Sequence, residues 1–342
     1  MTATTETSIS YDLEKALTDA LERVQVNEPE LELAKDWRRD IADVLRATFP
    51  GCRIYYNGSV AHGDALTPLV DVDLGAVIKD PNGDYGPGKV GPTPLQKIAA
   101  DALRKGLREK HGDVYVYLEG QTRAIYIRFR EPVFPGWEDF SADVIIAIDN
   151  IEGQGLFIPK NDVWDPADPE THTKLIHQSI KDTNVSFARC VRLVKHWSRT
   201  HDKPLCSWHI KAIALELFDR PVGLFEGLAA WFKYAAERVA GGSVEDPAHV
   251  ADPIDVEEET RDDVVRKLKQ AHNGMVRAKK FADDGWPVQA QAELAKVFND
   301  KAMLAPPSDD ALKEETGRRY KAEAAGLATS ASVASQVDSW GS

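Results

Sequence analysis

The chain has 342 residues, of which 43% are hydrophobic and 28% charged, and its formal net charge is −13 at pH 7. This length allows about two domains with cores of their own, and the composition is that of an ordinary globular protein. The negative charge argues against a broad platform for duplex nucleic acid, although not against nucleotides that arrive with Mg²⁺. Every apolar run is shorter than the roughly 20 residues of a membrane helix, so no membrane partner is expected.

The chain ends and the cysteines suggest where the protein resides. The first ten residues lack the basic and apolar segments of a signal peptide, and we expect residues 1–10 to be disordered. Cys52, Cys190 and Cys206 lack zinc-ligand spacing, and so few thiols favour a reducing compartment. We therefore expect a cytoplasmic protein.

The first half of the chain combines helical and strand patterns. Apolar spacing predicts helices over 11–27 and 28–48, and Pro and Gly follow the second. Residues 52–150 are expected to be rich in strands. Within them, 79–94 form a loop rich in Pro and Gly, and an amphipathic helix runs over 95–111.

The second half of the chain has a helical pattern. A connector over 151–170 contains Pro and Asp in turn-like combinations, and Asp168 is a candidate to open the next helix. The predicted helices cover 171–201, 207–220, 222–239, 257–283 and 286–299. The last residues are small and polar, so 326–342 are expected to form a flexible tail.

A Gly-Ser pair followed by two aspartates is the most informative motif. Gly58-Ser59 precedes D-V-D, which opens the apolar run L-G-A-V-I. Alternate side chains of a strand share a face, so Asp71 and Asp73 should project together. Two close carboxylates are costly unless a cation neutralises them, and Mg²⁺ (or Mn²⁺) favours oxygen ligands and arrives with substrate phosphates. Gly58 and the Ser59 hydroxyl are candidates to hold those phosphates, because glycine permits close backbone approach.

By itself, D-x-D is also common in solvated turns and structural Ca²⁺ sites. With the Gly-Ser pair upstream, the pattern resembles the nucleotidyltransferase superfamily that includes DNA polymerase β. This resemblance implies that Gly58 and Ser59 grip a donor triphosphate, and that Asp71 and Asp73 carry metal ions.

A two-metal phosphoryl-transfer site needs a third carboxylate. The candidate is Asp143, near the start of the apolar run in F-S-A-D-V-I-I-A-I-D. The preceding segment alternates from Ala124 to Arg130 and should be its hairpin neighbour. The alternative for Asp143 is a strand residue that faces water. Asp149 is a weaker rival, because it follows the apolar run and is typical of a turn.

A helix in the second half carries a cationic stripe. Arg189, Arg192, Lys195 and Arg199 are spaced by three or four residues, which places them on one helical face. Such a face can supply counter-charge to a triphosphate, although a solvated basic face is the common alternative.

Three segments indicate which group within the nucleotidyltransferase superfamily the chain resembles. R-L-V-K-H-W, K-P-L-C-S-W-H-I and V-A-D-P-I-D resemble the oligoadenylate synthase and cyclic GMP–AMP synthase group, most of all the bacterial cGAS/DncV-like nucleotidyltransferases (CD-NTases). The resemblance covers roughly residues 11–300. It implies that Lys195 and Ser207 contact the donor triphosphate. It also implies that Asp252, with Pro253 and Asp255, lies near the nucleotide pocket or supports it.

The chain departs from the pattern of this group in two ways. The group usually has Gly-Ser-x-x-x-Gly-Thr, whereas this chain reads G-S-V-A-H-G-D and ends on Asp64. An anion in place of a hydroxyl is expected to weaken triphosphate binding or to alter metal occupancy. The zinc-ribbon insertion of the animal DNA sensor is missing from the sequence, which argues against direct sensing of duplex DNA.

The resemblance implies an α+β fold with two lobes and an active site in the cleft between them. A polymerase β-like nucleotidyltransferase core, with a mixed sheet and flanking helices, precedes a C-terminal helical domain. The expected boundaries are 11–165 for the core with its N-terminal helices, 166–325 for the helical domain and 326–342 for the tail.

The implied reaction joins nucleoside triphosphates into a cyclic di- or trinucleotide second messenger, with release of pyrophosphate. Two Mg²⁺ or Mn²⁺ ions would lie between Asp71, Asp73 and Asp143. The resemblance further implies a role in antiphage (CBASS-type) defence. It makes a regulatory protein and a C-terminal conjugation enzyme candidate partners.

Other functions stay open at this point. A tRNA end, a protein hydroxyl or an aminoglycoside is an alternative acceptor, whereas an RNA-end polymerase would need a more basic surface. A catalytically weak interaction module is the non-enzymatic alternative; the three acids argue against it and Asp64 argues for it. The aromatic residues that could stack on a base, or belong to the core, are Tyr56, Trp208, Trp231 and Tyr234.

Overall fold

The structure is a computed structural model that describes residues 11–133, 136–256 and 259–338. Its helices are α1 (Leu13–Val24), α2 (Glu28–Thr48), α3 (Gly58–Ala61), α4 (Thr93–His111), α5 (Pro169–Asp182), α6 (Ser186–Thr200), α7 (Ser207–Leu217), α8 (Leu224–Ala240), α9 (Arg261–Asp283), α10 (Pro287–Phe298) and α11 (Asp309–Asp338). Its strands are β1 (Arg53–Asn57), β2 (Asp71–Ile78), β3 (Tyr115–Tyr117), β4 (Ile125–Arg128), β5 (Ser141–Asp149), β6 (Leu156–Lys160) and β7 (Val163–Ala167). The chain thus has the expected α+β composition, with strands concentrated in its first half.

The strands form one mixed sheet. Its central order is β1-β2-β5-β4-β3, and β6 joins the far end of β5 and pairs with β7. Strands β2 and β5 run parallel, and the other neighbours are antiparallel. The predicted hairpin neighbour of the Asp143 strand is confirmed, since β4 pairs antiparallel with β5.

The two faces of the sheet have different environments. On one face, apolar residues pack in one core with α2 and α4; they include Val72, Leu74, Val116, Ile127 and Val144. The alternation of strand side chains sends the intervening residues to the opposite face. That opposite face carries Asp71, Asp73 and Asp143 on adjacent strands.

A second core lies among the helices of the C-terminal half. Trp197 of α6, Trp231 and Phe232 of α8 and Leu268 of α9 are fully buried in it. Helix α1 packs into this core through residues such as Leu17, not into the core of the sheet. This differs from the expectation that α1 packs with the sheet, because an amphipathic stripe shows that a helix is packed but not against which partner. The exact domain boundaries stay a prediction.

The long helix expected over 171–201 is broken into α5 and α6. Asn184 and Val185 adopt positive φ angles of 46° and 65° at the break. The side chain of Asp168 accepts a hydrogen bond from Thr171 N and so caps α5, as expected. The apolar period continues across the break, which hid it from pattern analysis.

The last helix extends past residue 325, the predicted end of the helical domain. Helix α11 extends to Asp338, so residues 326–338, assigned above to a flexible tail, are helical. The remaining tail residues and residues 1–10 lie outside the described residues. Across 11–133, 136–256 and 259–338, no helix combines the length and the apolar character needed to cross a membrane.

Candidate active site

The sheet brings the three predicted acids together. In the parallel pairing of β2 with β5, Asp73 lies directly opposite Asp143, and Asp71 lies opposite Ser141. Neighbouring strands are about 4.8 Å apart, so Asp73 and Asp143 are lateral neighbours on one face. Asp71 and Asp143 are exposed and Asp73 is half-buried. Asp149, the weaker rival, lies at the far end of β5 in an ion pair with Arg53, 2.8 Å between Oδ1 and Nη2.

The three carboxylates repel one another. Burial, together with the charges of Asp71 and Asp143, raises the pKa of Asp73 to about 7. Burial and the charge of Asp71 also raise the pKa of Asp143. Bringing like charges together on a strand face is unfavourable without a counter-ion, so this face is suited to bind cations.

The chemistry of these side chains fits a hard divalent cation. Six carboxylate oxygens on adjacent strands are the type of donor that Mg²⁺ takes. However, no group of three or more Asp, Glu, His or Cys side chains in the part of the chain that the structure describes is already arranged to hold a metal ion. Asp71, Asp73 and Asp143 thus supply suitable ligand atoms, but their side chains are not gathered into a closed coordination site.

Gly58 and Ser59 follow directly on the strand beside the acids. Strand β1 ends at Asn57, which pairs with Asp73, so the Gly-Ser turn begins next to that carboxylate. Gly58 has φ +72°, and a Cβ atom added there would overlap the Asp73 carboxylate. Only glycine satisfies both the backbone conformation and the close approach.

A cavity of about 490 Å³ lies between the sheet and the C-terminal helices. The predicted site residues that line it are Gly58, Ser59, Asp71, Asp73, Lys195, Ser207 and Asp252. A larger cavity, of about 650 Å³, also reaches Asp71, Lys195 and Ser207, and Arg199 contributes to both. Asp143 lines neither cavity and lies on the open sheet face beyond Asp73. The structure therefore places seven of the eight predicted site residues around one cavity and the eighth beside it.

Lys195 is paired inside the protein. Its Nζ donates to Asp64 Oδ1 at 2.6 Å and to the Asp64 backbone oxygen at 2.9 Å. Both residues are buried, Asp64 completely. Burial would raise the pKa of Asp64, but Lys211 and Lys195 outweigh it and lower the pKa to about 2. Asp64 therefore does not face the cavity as a free anion, as the sequence suggested, but fixes a lysine.

Lys211 of α7 completes this buried cluster. Its Nζ lies 3.1 Å from Asp64 Oδ2 and 2.8 Å from His62 Nδ1. Burial and the charge of Lys211 lower the pKa of His62 to about 3, so the ring is neutral near pH 7. An ammonium group can only donate, so Nδ1 accepts and Nε2 carries the proton toward Thr173 Oγ1, 3.0 Å away. Two ammonium groups against one carboxylate leave the cluster with net positive charge beside Asp71 and Asp73.

The rest of the cationic stripe on α6 is also largely engaged. Arg192 donates to the backbone oxygen of Gly63 at 2.6 Å, and Arg189 donates to Thr18 Oγ1 at 3.2 Å. Arg199 is exposed and lines both cavities near Asp71. The stripe is therefore neither a solvated face nor a continuous phosphate-binding surface: it attaches α6 to neighbouring segments and leaves Arg199 at the cavity wall.

Trp208 is the stacking candidate that faces the first cavity. Its ring lies 4.2 Å from the ring of His172, and both line the cavity. His172 is held by buried Asp246, with 2.6 Å between Nε2 and Oδ1. The other candidates are engaged elsewhere: Trp231 is in the helical core, Tyr234 donates to Glu216, and the Arg38 guanidinium covers Tyr56.

Asp252 lies in a segment that closes one side of the cavity. Asp246 anchors this segment by accepting hydrogen bonds from Val250 N and Ala251 N, both at 3.1 Å. The side chain of Asp252 is 89% exposed, and its only ion pair among the described residues is with Lys160 at 3.8 Å. Asp255 does not line this cavity: it pairs with Arg261 at 2.5 Å and lines the larger one. Asp252 is thus at the rim of the cavity, where its carboxylate can contact a ligand or water.

Four residues at the site were not predicted from the sequence: Lys211, His62, His172 and Asp246. One signal for Lys211 was available, since it follows Ser207 by four residues and so lies on the same face of one helix. The pairs of Lys211 with Asp64 and of His172 with Asp246 join residues far apart in the chain, and local spacing carries no information about them.

Comparisons with known proteins agree on the fold. No protein-family model and no curated protein matches the chain. Among solved structures, CdnC of Escherichia coli MS115-1 with ATP matches with TM-score 0.62 and 18% identity, over 86% of this chain and 98% of that one. CdnC has also been solved in a complex with HORMA-deltaN.

Two further structures match with TM-score 0.66 and 14% identity. The Bradyrhizobium diazoefficiens CD-NTase CdnG in complex with GTP is covered over 98% of its length by 88% of this chain. The Vibrio cholerae DncV cyclic AMP-GMP synthase, in complex with the linear intermediate 5′ pppA(3′,5′)pG, is covered over 97% of its length by 86% of this chain. The similarity spans both the sheet and the C-terminal helices, and the chain therefore has the two-lobed α+β fold of the bacterial CD-NTases.

Proposed function

We propose that the protein is a nucleotidyltransferase that joins nucleoside triphosphates into a cyclic di- or trinucleotide and releases pyrophosphate. The observation that carries this proposal is the set Asp71, Asp73 and Asp143 on adjacent parallel strands, next to the Gly58-Ser59 turn. The solved structures of similar fold that hold ATP, GTP or a linear dinucleotide support the same class of substrate.

The donor triphosphate binds in the 490 Å³ cavity in this proposal. Gly58 lets the chain pass close to Asp73, and Ser59 of α3 and Ser207 of α7 both line the cavity. Lys195 and Lys211, which Asp64 holds in place, supply positive charge at the lining of the cavity. The Trp208 ring offers a flat surface for the base. Asp252 at the rim approaches the same ligand.

Asp71, Asp73 and Asp143 would hold two Mg²⁺ or Mn²⁺ ions. When bound, such ions activate an attacking hydroxyl and stabilise the phosphoryl and pyrophosphate charges. The chain's own contribution is to fix three carboxylates on a rigid sheet, with Asp143 on the open side from which an acceptor hydroxyl can approach. The raised pKa of Asp73 means that cation binding and loss of its proton are coupled.

We also propose a biological role for the product. A cyclic oligonucleotide made from cellular triphosphates would act as a second messenger in the cytoplasm, in antiphage (CBASS-type) defence. The complex of CdnC with HORMA-deltaN supports a regulatory protein as a partner. A conjugation enzyme acting on the C-terminus stays a prediction, because the last residues lie outside the described ones.

Substitution of Asp73 tests the reaction. Asp73→Asn removes a central ligand while keeping the side-chain shape, so release of pyrophosphate from the four nucleoside triphosphates should fall by at least about 10³-fold. A phosphatase-resistant product should disappear with it. Asp149→Asn is the matched control, because this carboxylate lies at the far end of the neighbouring strand β5, outside the site, and should leave turnover unchanged.

Full activity of Asp73→Asn, with the fold verified by circular dichroism, would refute the proposed role of the acids. Pyrophosphate release that requires an added tRNA, protein or aminoglycoside would instead assign the transfer to that acceptor.

A further inference from the structure

Three tyrosines form an exposed row on the same sheet face as the acids. Tyr115 and Tyr117 of β3 are 44% and 43% exposed, and Tyr126 of β4 is half-buried. The ring centroids of Tyr115 and Tyr117 are 6.0 Å apart, and those of Tyr117 and Tyr126 are 6.1 Å apart. The rings are tilted by only 31° and 37° relative to one another. Together these side chains, here called the tyrosine row, form a continuous aromatic surface.

The strand register connects the tyrosine row to the candidate active site. Tyr117 pairs with Tyr126, Tyr126 pairs with Asp143, and Asp143 pairs with Asp73. These residues therefore lie in one line across four strands. At about 4.8 Å per strand, Tyr126 is directly beside Asp143, and Tyr117 is about 10 Å from it.

The tyrosine row is not part of the hydrophobic core. The core residues of β3 and β4 are Val116, Ile125 and Ile127, which point to the opposite face. The row lines neither of the two cavities that meet at Asp71. Its rings lie on the open sheet face, where Asp143 is also exposed. Aromatic surface that extends outward from a candidate catalytic acid is suited to contact a ligand.

The charges around the row favour an aromatic ligand over a purely anionic one. Arg128 pairs with Asp139 at 2.7 Å, and Arg130 pairs with Asp113 at 3.3 Å. The Arg130 guanidinium also lies 5.2 Å from the centre of the Tyr115 ring. The arginines are matched by acids, so the surface offers flat rings and polar edges rather than excess positive charge. Sequence-tolerant stacking of nucleobases on aromatic side chains uses such a surface.

We propose that the tyrosine row binds the bases of a short single-stranded oligonucleotide acceptor, whose terminal hydroxyl lies at Asp143. This inference rests on the proposed function and adds the acceptor class: a linear chain of two or more nucleotides, retained while the next nucleotide is added. The terminal base stacks near Tyr126 and the preceding base on Tyr117. The donor cavity is lined by Asp71 and Asp73 but not by Asp143 or the tyrosine row, so donor and acceptor reach the acids from different directions.

Binding of an oligonucleotide without any donor tests this inference. The probe is fluorescein-labelled single-stranded tririboadenylate, titrated with the full chain in Mg²⁺ and followed by fluorescence anisotropy. Tyr117→Ser and Tyr126→Ser should each weaken binding about tenfold, because each removes one stacking surface. Tyr117→Phe keeps the ring and should bind as the unmodified protein does.

Tyr320→Ser is the matched control, since Tyr320 is also exposed but lies on α11. It should leave the affinity unchanged, and melting temperatures should show that every variant folds. The inference would be overturned if the unmodified protein failed to bind the probe. Unchanged affinity in both serine variants would overturn it as well, because the row would then serve only the packing of the β3–β4 edge.

The same proteins separate this inference from the proposed function. Turnover of nucleoside triphosphates is measured independently of probe binding. Tyrosine-dependent binding of the probe by a protein that makes no cyclic product would support the row and refute the proposed reaction. If the unmodified protein and the Tyr117→Ser/Tyr126→Ser double variant form cyclic product equally well, the tyrosine row does not bind the acceptor. The proposed reaction would still stand.

Discussion

Two carboxylates near the same cavity have pKa values shifted in opposite directions. Asp64 is fully buried and its pKa is lowered to about 2, whereas Asp73 is half-buried and its pKa is raised to about 7. Burial alone would raise both values. The difference comes from neighbours, because Asp64 lies between two ammonium groups and Asp73 lies between two carboxylates.

The two carboxylates belong to sites that differ in whether a ligand is needed to balance their charge. The Lys195–Asp64–Lys211 cluster contains its own counter-charges and is closed to solvent. Asp71, Asp73 and Asp143 form no ion pair with any described residue, and Asp71 and Asp143 are exposed. We infer that the lysine cluster is a preassembled part of the binding site, whereas the acids are completed only by cations from outside.

The largest expected effect comes from breaking the lysine cluster. Asp64→Asn leaves two buried ammonium groups without a counter-charge, and the free energy of unfolding should fall by about 3–5 kcal/mol. Urea denaturation measures this change. Asp252→Asn, which alters an exposed carboxylate at the cavity rim, is the control and should stay within about 0.5 kcal/mol. An equally small loss for Asp64→Asn would show that the cluster is not held by charge.

Two glycines, one at the start of α3 and one just after its end, allow a matched test of the site around Asp73. Gly58 and Gly63 have φ angles of +72° and +68°, but an added Cβ overlaps Asp73 at Gly58 and meets nothing within 4 Å at Gly63. Both alanine variants should lose about 1 kcal/mol of stability through backbone strain. Gly58→Ala should also lose about 100-fold or more in turnover, because it displaces a proposed metal ligand.

Gly63→Ala should retain nearly full turnover by the same assay of pyrophosphate release. Equal losses in the two variants would assign the effect to backbone strain and not to contact with Asp73.

The pH dependence of stability should reveal the repulsion among the acids. The folded-state pKa of Asp73 lies above its usual value near 3.8, so the unfolded chain gives up this proton more readily. The contribution of Asp73 to stability is therefore greatest below about pH 4, falls as the pH rises, and reaches its minimum above about pH 7. Without divalent cations, Asp73→Asn should stabilise the protein by about 2 kcal/mol at pH 8 but not at pH 4.

Thermal and urea unfolding at the two pH values, with and without Mg²⁺, measure this effect. Mg²⁺ should remove the advantage of the variant by stabilising the unmodified protein at pH 8. The same difference in stability at pH 4 and pH 8 would contradict the interpretation. Asp149→Asn again serves as the control.

Much of the candidate site could be predicted because its signals are local. The D-x-D pair shares a face by strand alternation alone, and the Gly-Ser turn precedes it by a short segment. The hairpin pattern before Asp143 correctly predicts its neighbouring strand. The sequence resemblance also predicts the α+β fold that the solved structures share.

The environment of Lys195 could not be predicted in the same way. The helical pattern places it on a cationic face, but its partner Asp64 is 131 residues away in the chain. Asp64 stands where the related group usually has Thr, and in the sequence an acid at this position looks unfavourable for triphosphate binding. A motif names the residue but not the side chains that surround it in the fold. The structure shows two lysines that compensate it, and the second, Lys211, comes from another helix.

Secondary-structure periods, the shared face of Asp71 and Asp73, and the chemistry that these side chains allow all follow from the order of the residues alone. The packing of α1 with the C-terminal helices, the pairing of Asp64 with two lysines, and the alignment of the tyrosine row with Asp143 follow only from the folded chain. The two groups of features differ in the distance along the chain over which they are set. Backbone geometry fixes the direction of side chains over a few residues, whereas charge pairing and strand register depend on which distant segments pack together.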